Sequence, residues 1–315
     1  MTAAAPTESA DNPLAALSDS LAAAVATAAR SVVAVHARRR IPSSGVVWRP
    51  GIIVTAHHTL RRDQDITVTL PDGHSARATL AGRDPGTDLA VLRLDDDPSR
   101  QLAVIEVAAP SALAVGRLAL AVGRPGASVS ASFGIVSATG EAWRTWSGGE
   151  IDRFVRLDLN IYDGFSGGPL VDATGHALGI NTSALARGLA LTIPAATVDR
   201  VADQLLAQGR MRRGYLGVGM QPVRLPGSLR QALGVDHDVA LMVVSLETGG
   251  PADRPGLLMG DVILNVGGRR VTDPGDVLAQ LGADRVGEPL PMDVVRGGHR
   301  TAITVLVGER PHQEG

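Results

Sequence analysis

The sequence contains neither cysteine nor lysine. The first absence excludes Cys-His hydrolases and thiolate metal sites, and it is compatible with either redox compartment. The second excludes Ser-Lys dyads and Schiff-base chemistry, which need a side-chain amine. Serine, threonine, carboxylates and histidine are what remain for catalysis. A surplus of one charge is also missing: the formal net charge is -2, so nothing draws the chain to nucleic acid. No long apolar run survives inspection, because Leu14 to Val33 is broken by Ser18, Asp19, Ser20 and Arg30, which argues against a membrane span. Met1 to Asn12 is small, polar and acidic, without the positive start of a secretory signal, so the residues alone point to the cytoplasm. There is no Walker-type loop, no His-Glu-x-x-His helix and no three-glycine dinucleotide fingerprint, hence no expected cofactor or metal.

What is present is an apolar fraction of 44% over 315 residues, enough to bury two cores. Leu14, Leu17, Leu21 and Val25 recur at three- and four-residue spacing and predict an amphipathic helix capped by Asn12 with Pro13 at its first position. From Ser31 to Leu191 the chain turns to short runs of Val, Ile, Leu and Thr punctuated by Gly, Pro and Asp. Such runs predict an all-β sandwich or a pair of barrels. Between Pro194 and Gly209 the period becomes helical, with Val198, Val201, Ala202, Leu205 and Leu206 on one face. Residues 209–214 read as a linker, and a second domain of strands and Gly/Pro turns follows over 215–310.

Three segments carry chemistry. Gly164-Phe165-Ser166-Gly167-Gly168-Pro169-Leu170 sets a serine among glycines, where its hydroxyl can face outward beside backbone N–H groups. A hydroxyl is a weak nucleophile at neutral pH and needs a general base and a group to orient that base. Ile52-Ile53-Val54-Thr55-Ala56-His57-His58 places a His pair at the end of an apolar strand, and Thr87-Asp88-Leu89-Ala90-Val91-Leu92 places a carboxylate just before another.

The order His58, Asp88, Ser166, with Ser44-Gly45-Val46-Val47, Gly134-Ile135-Val136-Ser137-Ala138-Thr139-Gly140 and Gly179-Ile180-Asn181-Thr182, resembles the HtrA/Deg family of trypsin-like serine proteases over most of the chain. The resemblance implies a mainly β fold: two six-stranded trypsin-like barrels over 31–208, then an α+β PDZ domain. It makes His58 the base, Asp88 its orienting carboxylate and Ser166 the nucleophile, with the N–H groups of Gly164 and Ser166 as the oxyanion hole. The chain departs from the family pattern at Phe165, where Asn or Asp is usual, at Tyr162-Asp163, where Asn-Pro is usual, and at Thr59, where Val is common.

Tyr215-Leu216-Gly217-Val218 resembles the PDZ loop whose backbone N–H groups receive a peptide's terminal carboxylate while the peptide adds a strand to a sheet edge. The helix after Pro274, with Val277, Leu278 and Leu281, would line that groove. The implied activity is a serine endopeptidase acting on unfolded or exposed polypeptides, with peptide C-termini as PDZ partners and assembly as a trimer or a multiple of it. Work outside the cytoplasm is also implied, against the direct reading of the N-terminus. The reading from another class is a catalytically silent PDZ adaptor or chaperone on a protease fold. Arg38-Arg39-Arg40 beside His36 and Asp95-Asp96-Asp97 read as solvated segments, and Trp143 and Trp146 lie in a region that the family uses for regulatory loops.

Overall fold

The computed structural model describes residues 12–95, 102–145, 147–186, 188–282 and 285–309. The expectations placed on Met1 to Asp11, Asp96, Asp97, Trp146 and Arg310 therefore lie outside the described residues. The chain divides into two compact units, Met1–Arg210 and Met211–Gly315.

The first unit opens with helix α1 (Pro13–Ala29), where the Asn12 side chain accepts from the N–H of Leu14 at 3.1 Å and Pro13 takes the first helical position. Its contact face is narrower than the leucine spacing predicts. Ala24 and Ala28 are buried, whereas Leu14 and Leu17 are exposed, because the first turns extend past the barrel surface that covers the last ones.

Strands β1 (Val32–His36), β2 (Ser43–Arg49), β3 (Ile52–Ala56), β4 (Ile66–Thr69), β5 (Ser75–Asp84) and β6 (Leu89–Leu94) close into a barrel in the order β1-β2-β3-β6-β5-β4. Alternating aliphatic positions fill it: Val33, Val35, Val47, Ile53, Ile66, Val68 and Leu92 are buried together. Strands β7 (Leu118–Gly123) and β8 (Ser130–Thr139) begin a second barrel. A short hairpin of β9 (Trp143–Arg144) and β10 (Glu150–Ile151) follows, before β11 (Val155–Asp158), β12 (Pro169–Val171), β13 (Ala177–Thr182) and β14 (Ala190–Pro194) complete the closed order β11-β14-β13-β12-β7-β8. Leu113, Val136, Val155, Leu157, Leu170 and Leu178 form its interior. The two six-stranded barrels expected from the resemblance are thus present.

Helix α2 (Ala195–Gln208) buries Val198, Val201, Ala202 and Leu205, as the period predicts, and stops at Gly209, whose φ of 73° is left-handed. The Trp48 indole N–H donates to Asp199 at 2.8 Å, tying this helix to the first barrel.

In the second unit β15 (Gly214–Tyr215) precedes β16 (Val218–Arg224), α3 (Gly227–Leu233), β17 (Val239–Leu246), β18 (Val262–Val266) and β19 (Arg269–Arg270). Then come α4 (Pro274–Leu278), β20 (Pro289–Arg296), β21 (His299–Leu306) and β22 (Gly308–Glu309). The sheet order is β16-β17-β18-β20-β21, with β19 on β18, so β16 is an edge strand; β15 pairs separately with β22. Leu216, Leu241, Ile263, Val277, Leu290 and Val305 lie in its core. Asp273 caps α4 reciprocally with Asp276.

Candidate active site

His58 sits in a single 3-10 turn, His57–Thr59, that ends β3. Thr59 is buried there, with its hydroxyl donating to the Ala56 carbonyl at 2.7 Å. Asp88 is 2% exposed and stands just before β6 in a left-handed conformation, φ 59°, that is uncommon for a residue with a side chain. A preceding turn holds it. The Asp84 carboxylate accepts from the N–H of Gly86 at 3.0 Å and from the hydroxyl of Thr87 at 2.7 Å. With its backbone so fixed, Asp88 meets the histidine turn at three points. Its carbonyl accepts from the His57 N–H at 2.9 Å, Oδ1 accepts from the His58 N–H at 2.8 Å, and Oδ2 lies 2.7 Å from His58 Nδ1. A carboxylate on Nδ1 leaves Nε2 as the free, basic nitrogen. The Thr182 hydroxyl, from the end of β13 in the other barrel, also donates to Oδ2 at 2.5 Å.

Ser166 is 5% exposed and its hydroxyl lies 3.1 Å from the Ser183 hydroxyl. Among the described residues, Ser166 and His58 share no hydrogen bond. The N–H groups around it divide in two. Those of Phe165, Gly167 and Gly168 donate to the carbonyls of Tyr162, Asn181 and Phe165, each at 2.9 Å. Those of Gly164 and Ser166 donate to no described group, so two donors flank the serine unspent. Phe165 is 1% exposed and points inward, edge-on to Tyr162 with ring centroids 5.4 Å apart. The ring fills the space that Gly123 leaves, since a Cβ there would fall 2.7 Å from Phe165 Cδ1. The departure from the family pattern is therefore absorbed as apolar packing behind the loop.

Sequence reasoning assigned no role to Ser44, which fastens this loop. Its hydroxyl donates to the Gly164 carbonyl at 2.6 Å and accepts from the Arg124 N–H at 2.8 Å, and its own N–H reaches the Ser166 carbonyl at 3.3 Å. With the Gly164 carbonyl turned inward, that residue's left-handed φ of 88° is required. Ser183 and Asp84 were likewise missed, and Ser44 and Thr182 were noted only as parts of motifs. Burial lowers the pKa of His57, whose Nδ1 is buried without a partner. Among the described residues no group of three or more His, Asp or Glu side chains is placed to hold a metal ion.

In the second unit the carbonyls of Leu216 and Gly217 are engaged by the N–H groups of Ala252 at 3.0 Å and Glu247 at 2.8 Å. The N–H groups of Leu216 and Gly217 have no described acceptor, and they lead into the edge strand β16. Val218 and Met220 of β16 and Leu278 of α4 are partly buried beside it. Val277 and Leu281, expected in the groove, belong instead to the core: Val277 lies on the buried face of α4, and Leu281 follows the end of that helix.

The chain matches the family models of the trypsin-like peptidase domain over residues 43–180 and of the PDZ domain over residues 214–307. A solved structure described as an HtrA-type protease AlgW with tripeptide is 32% identical, with a TM-score of 0.72, and the match covers 94% of this chain and 99% of that one. The chain belongs to the HtrA family. A second HtrA-like neighbour, the serine endoprotease from Yersinia pestis, is 30% identical, with a TM-score of 0.73 and coverage of 92% and 98%. A relative described as a probable periplasmic serine endoprotease DegP-like, from Brucella suis biovar 1 (strain 1330), is 34% identical over 89% of this HtrA chain and 55% of its own length. The chain thus spans about half the length of the curated relatives it matches. No described helix is long and apolar enough to cross a membrane.

Proposed function

We propose that this HtrA chain is a serine endopeptidase acting on unfolded or exposed polypeptide segments through an acyl-enzyme on Ser166. The observation that carries the reading is the pairing of His58 Nδ1 with the buried Asp88 carboxylate at 2.7 Å, beside a serine whose two flanking N–H donors are unspent. Rotation of the Ser166 hydroxyl toward Nε2 lets His58 take its proton as the oxygen attacks the scissile carbonyl. The developing oxyanion is received by the N–H groups of Gly164 and Ser166, each such donor contributing about 3 kcal/mol. His58 then protonates the leaving amine, and a water molecule repeats the sequence on the acyl-enzyme. Asp88 holds the imidazole in the productive tautomer. Protease domain 31–208 and PDZ domain 215–310 divide the work, with Tyr215, Leu216, Gly217 and Val218 receiving peptide C-termini for recruitment or regulation.

The relatives' printed names support work outside the cytoplasm, and the exposed Leu14 and Leu17 offer an apolar surface for contact between copies in the proposed assembly, a trimer or a multiple of it. A silent protease-fold adaptor is favoured by one observation, the Ser166 hydroxyl bonded to Ser183 instead of His58; catalytic hydrogen bonds often form only once substrate is bound. Digestion of casein by the wild type and by Ser166→Ala decides between them. Cleavage by the first alone supports the endopeptidase, equal cleavage by both removes Ser166 from the mechanism, and no cleavage by either supports the adaptor.

A further inference from the structure

Five arginines that lie far apart in the sequence meet at one edge of the candidate active site. Arg38, Arg39 and Arg40 occupy the loop between β1 and β2, and Arg61 and Arg62 follow the turn that carries His58. Two bonds join the segments: the Arg61 N–H donates to the Ala37 carbonyl at 3.0 Å, and the Arg62 guanidinium donates to the His36 carbonyl at 2.7 Å. The same loop runs on to Pro42, whose carbonyl lies 2.8 Å from where a Cβ on Gly164 would be, and to Ser44, which holds the Gly164 carbonyl. The cationic edge therefore extends from the histidine turn to the nucleophile loop.

Arg38 donates to the carbonyls of Ile41 and Pro42 and Arg62 to that of His36, but no described carboxylate neutralises the edge. Arg39, Arg40, Arg61 and Arg62 are exposed, and among the described residues none of the five forms an ion pair. Asp63, the nearest acid along the chain, is paired with Arg83, which leaves Asp65 as the only other carboxylate in that segment. In a chain of net charge -2 this is a local concentration, not a reflection of overall composition. Clustered like charges that repel one another need a counter-charge, and a partner that supplies it is steered to the surface.

We infer that this edge binds acidic residues of the substrate polypeptide on the downstream side of the scissile bond. The inference rests on His58 and Ser166 being the reacting pair. In that chemistry the imidazole hands its proton to the leaving amine, so the downstream portion departs past His58 and across the segment bearing Arg61 and Arg62. Asp and Glu in the first several downstream positions would then accept from the guanidinium groups.

Two fluorogenic peptides, identical up to the scissile bond and followed by either an Asp/Glu run or a Gln/Ser run, test it. The wild type should cleave the acidic peptide with about tenfold higher kcat/KM at low ionic strength, the sum of several exposed ion pairs, and the preference should shrink in high salt. The variant Arg39→Gln/Arg40→Gln/Arg61→Gln removes three side chains that make no hydrogen bond among the described residues, and its ratio should fall to near unity. Equal cleavage of the two peptides by the wild type, or a preference retained by the variant, overturns the inference.

A binding arm separates failure of the protease reading from failure of this one. An acidic, C-terminally amidated peptide, blocked from the carboxylate loop, should raise fluorescence anisotropy with Ser166→Ala and lose that binding when the three arginines are also replaced. Such binding in a chain that cleaves nothing would keep the acidic-peptide edge while rejecting the protease. Tighter binding of a single-stranded oligonucleotide than of the peptide would overturn the assignment to polypeptide.

Discussion

Ser166 has one hydroxyl proton, and in the resting structure its neighbour is the Ser183 hydroxyl. A hydroxyl turns about one side-chain bond, and the proposed mechanism needs Ser166 to exchange that partner for His58, since the base is what activates it. Replacing His58 or Ser166 by Ala should each lower kcat/KM for a peptide substrate by about 10³-fold or more, with the double variant little worse than either, because the groups act as a unit. Additive losses would contradict joint action. Ser44 carries a separate prediction. Ser44→Ala strips a buried partner from both the Gly164 carbonyl and the Arg124 N–H. Denaturant melts should show a loss of about 1–3 kcal/mol, and kcat should fall about tenfold or more as the oxyanion donors loosen.

The elements that present the site differ in how far they could be read in advance. The strand ends carrying His58 and Asp88 were visible because apolar runs stop abruptly there, and the glycine frame of Ser166 marks a tight turn. What was hidden are the hydroxyls that brace those turns. Ser44 meets Gly164 across 120 residues and Thr182 meets Asp88 across 94, so neither contact exists until the barrels close. Phe165 was an anomaly in sequence and is packing in structure, because its pocket is the missing side chain of Gly123. The five-residue helix α4 is too short to reveal its phase and ends before Leu281, so the core positions of Val277 and Leu281 could not be read from spacing. For the edge strand β16 and its loop, amidation of a peptide's C-terminus should weaken binding about tenfold or more in a titration of the whole chain, since the Leu216 and Gly217 N–H groups would lose an anionic acceptor. Unchanged affinity would rule out carboxylate capture.

At the scale of the whole molecule, two histidines link the stability of the first unit to acid. Burial lowers the pKa of His57, and burial together with the nearby Arg62 lowers that of His36. Both imidazoles are then neutral in the fold at pH values where the unfolded chain protonates them. Their stabilisation is fully present above the unfolded histidine value of about 6.5 and is lost as pH falls through the lower folded values. All three tryptophans, Trp48, Trp143 and Trp146, belong to the first unit, so tryptophan fluorescence reports it alone. Its thermal midpoint should fall between pH 7 and pH 5, and a rise over that interval would contradict the burial of these groups. The proposed assembly is open to a parallel check, in which Leu14→Asp/Leu17→Asp should lower the mass measured by light scattering toward that of a monomer.

The account turns on a base-activated Ser166 beside a formed oxyanion site, and covalent labelling by a fluorophosphonate with peptide mapping addresses both at once. A single adduct on Ser166 in the wild type, and none in His58→Ala, is the predicted result. A wild type that stays unlabelled, or an adduct formed equally without His58, would contradict it.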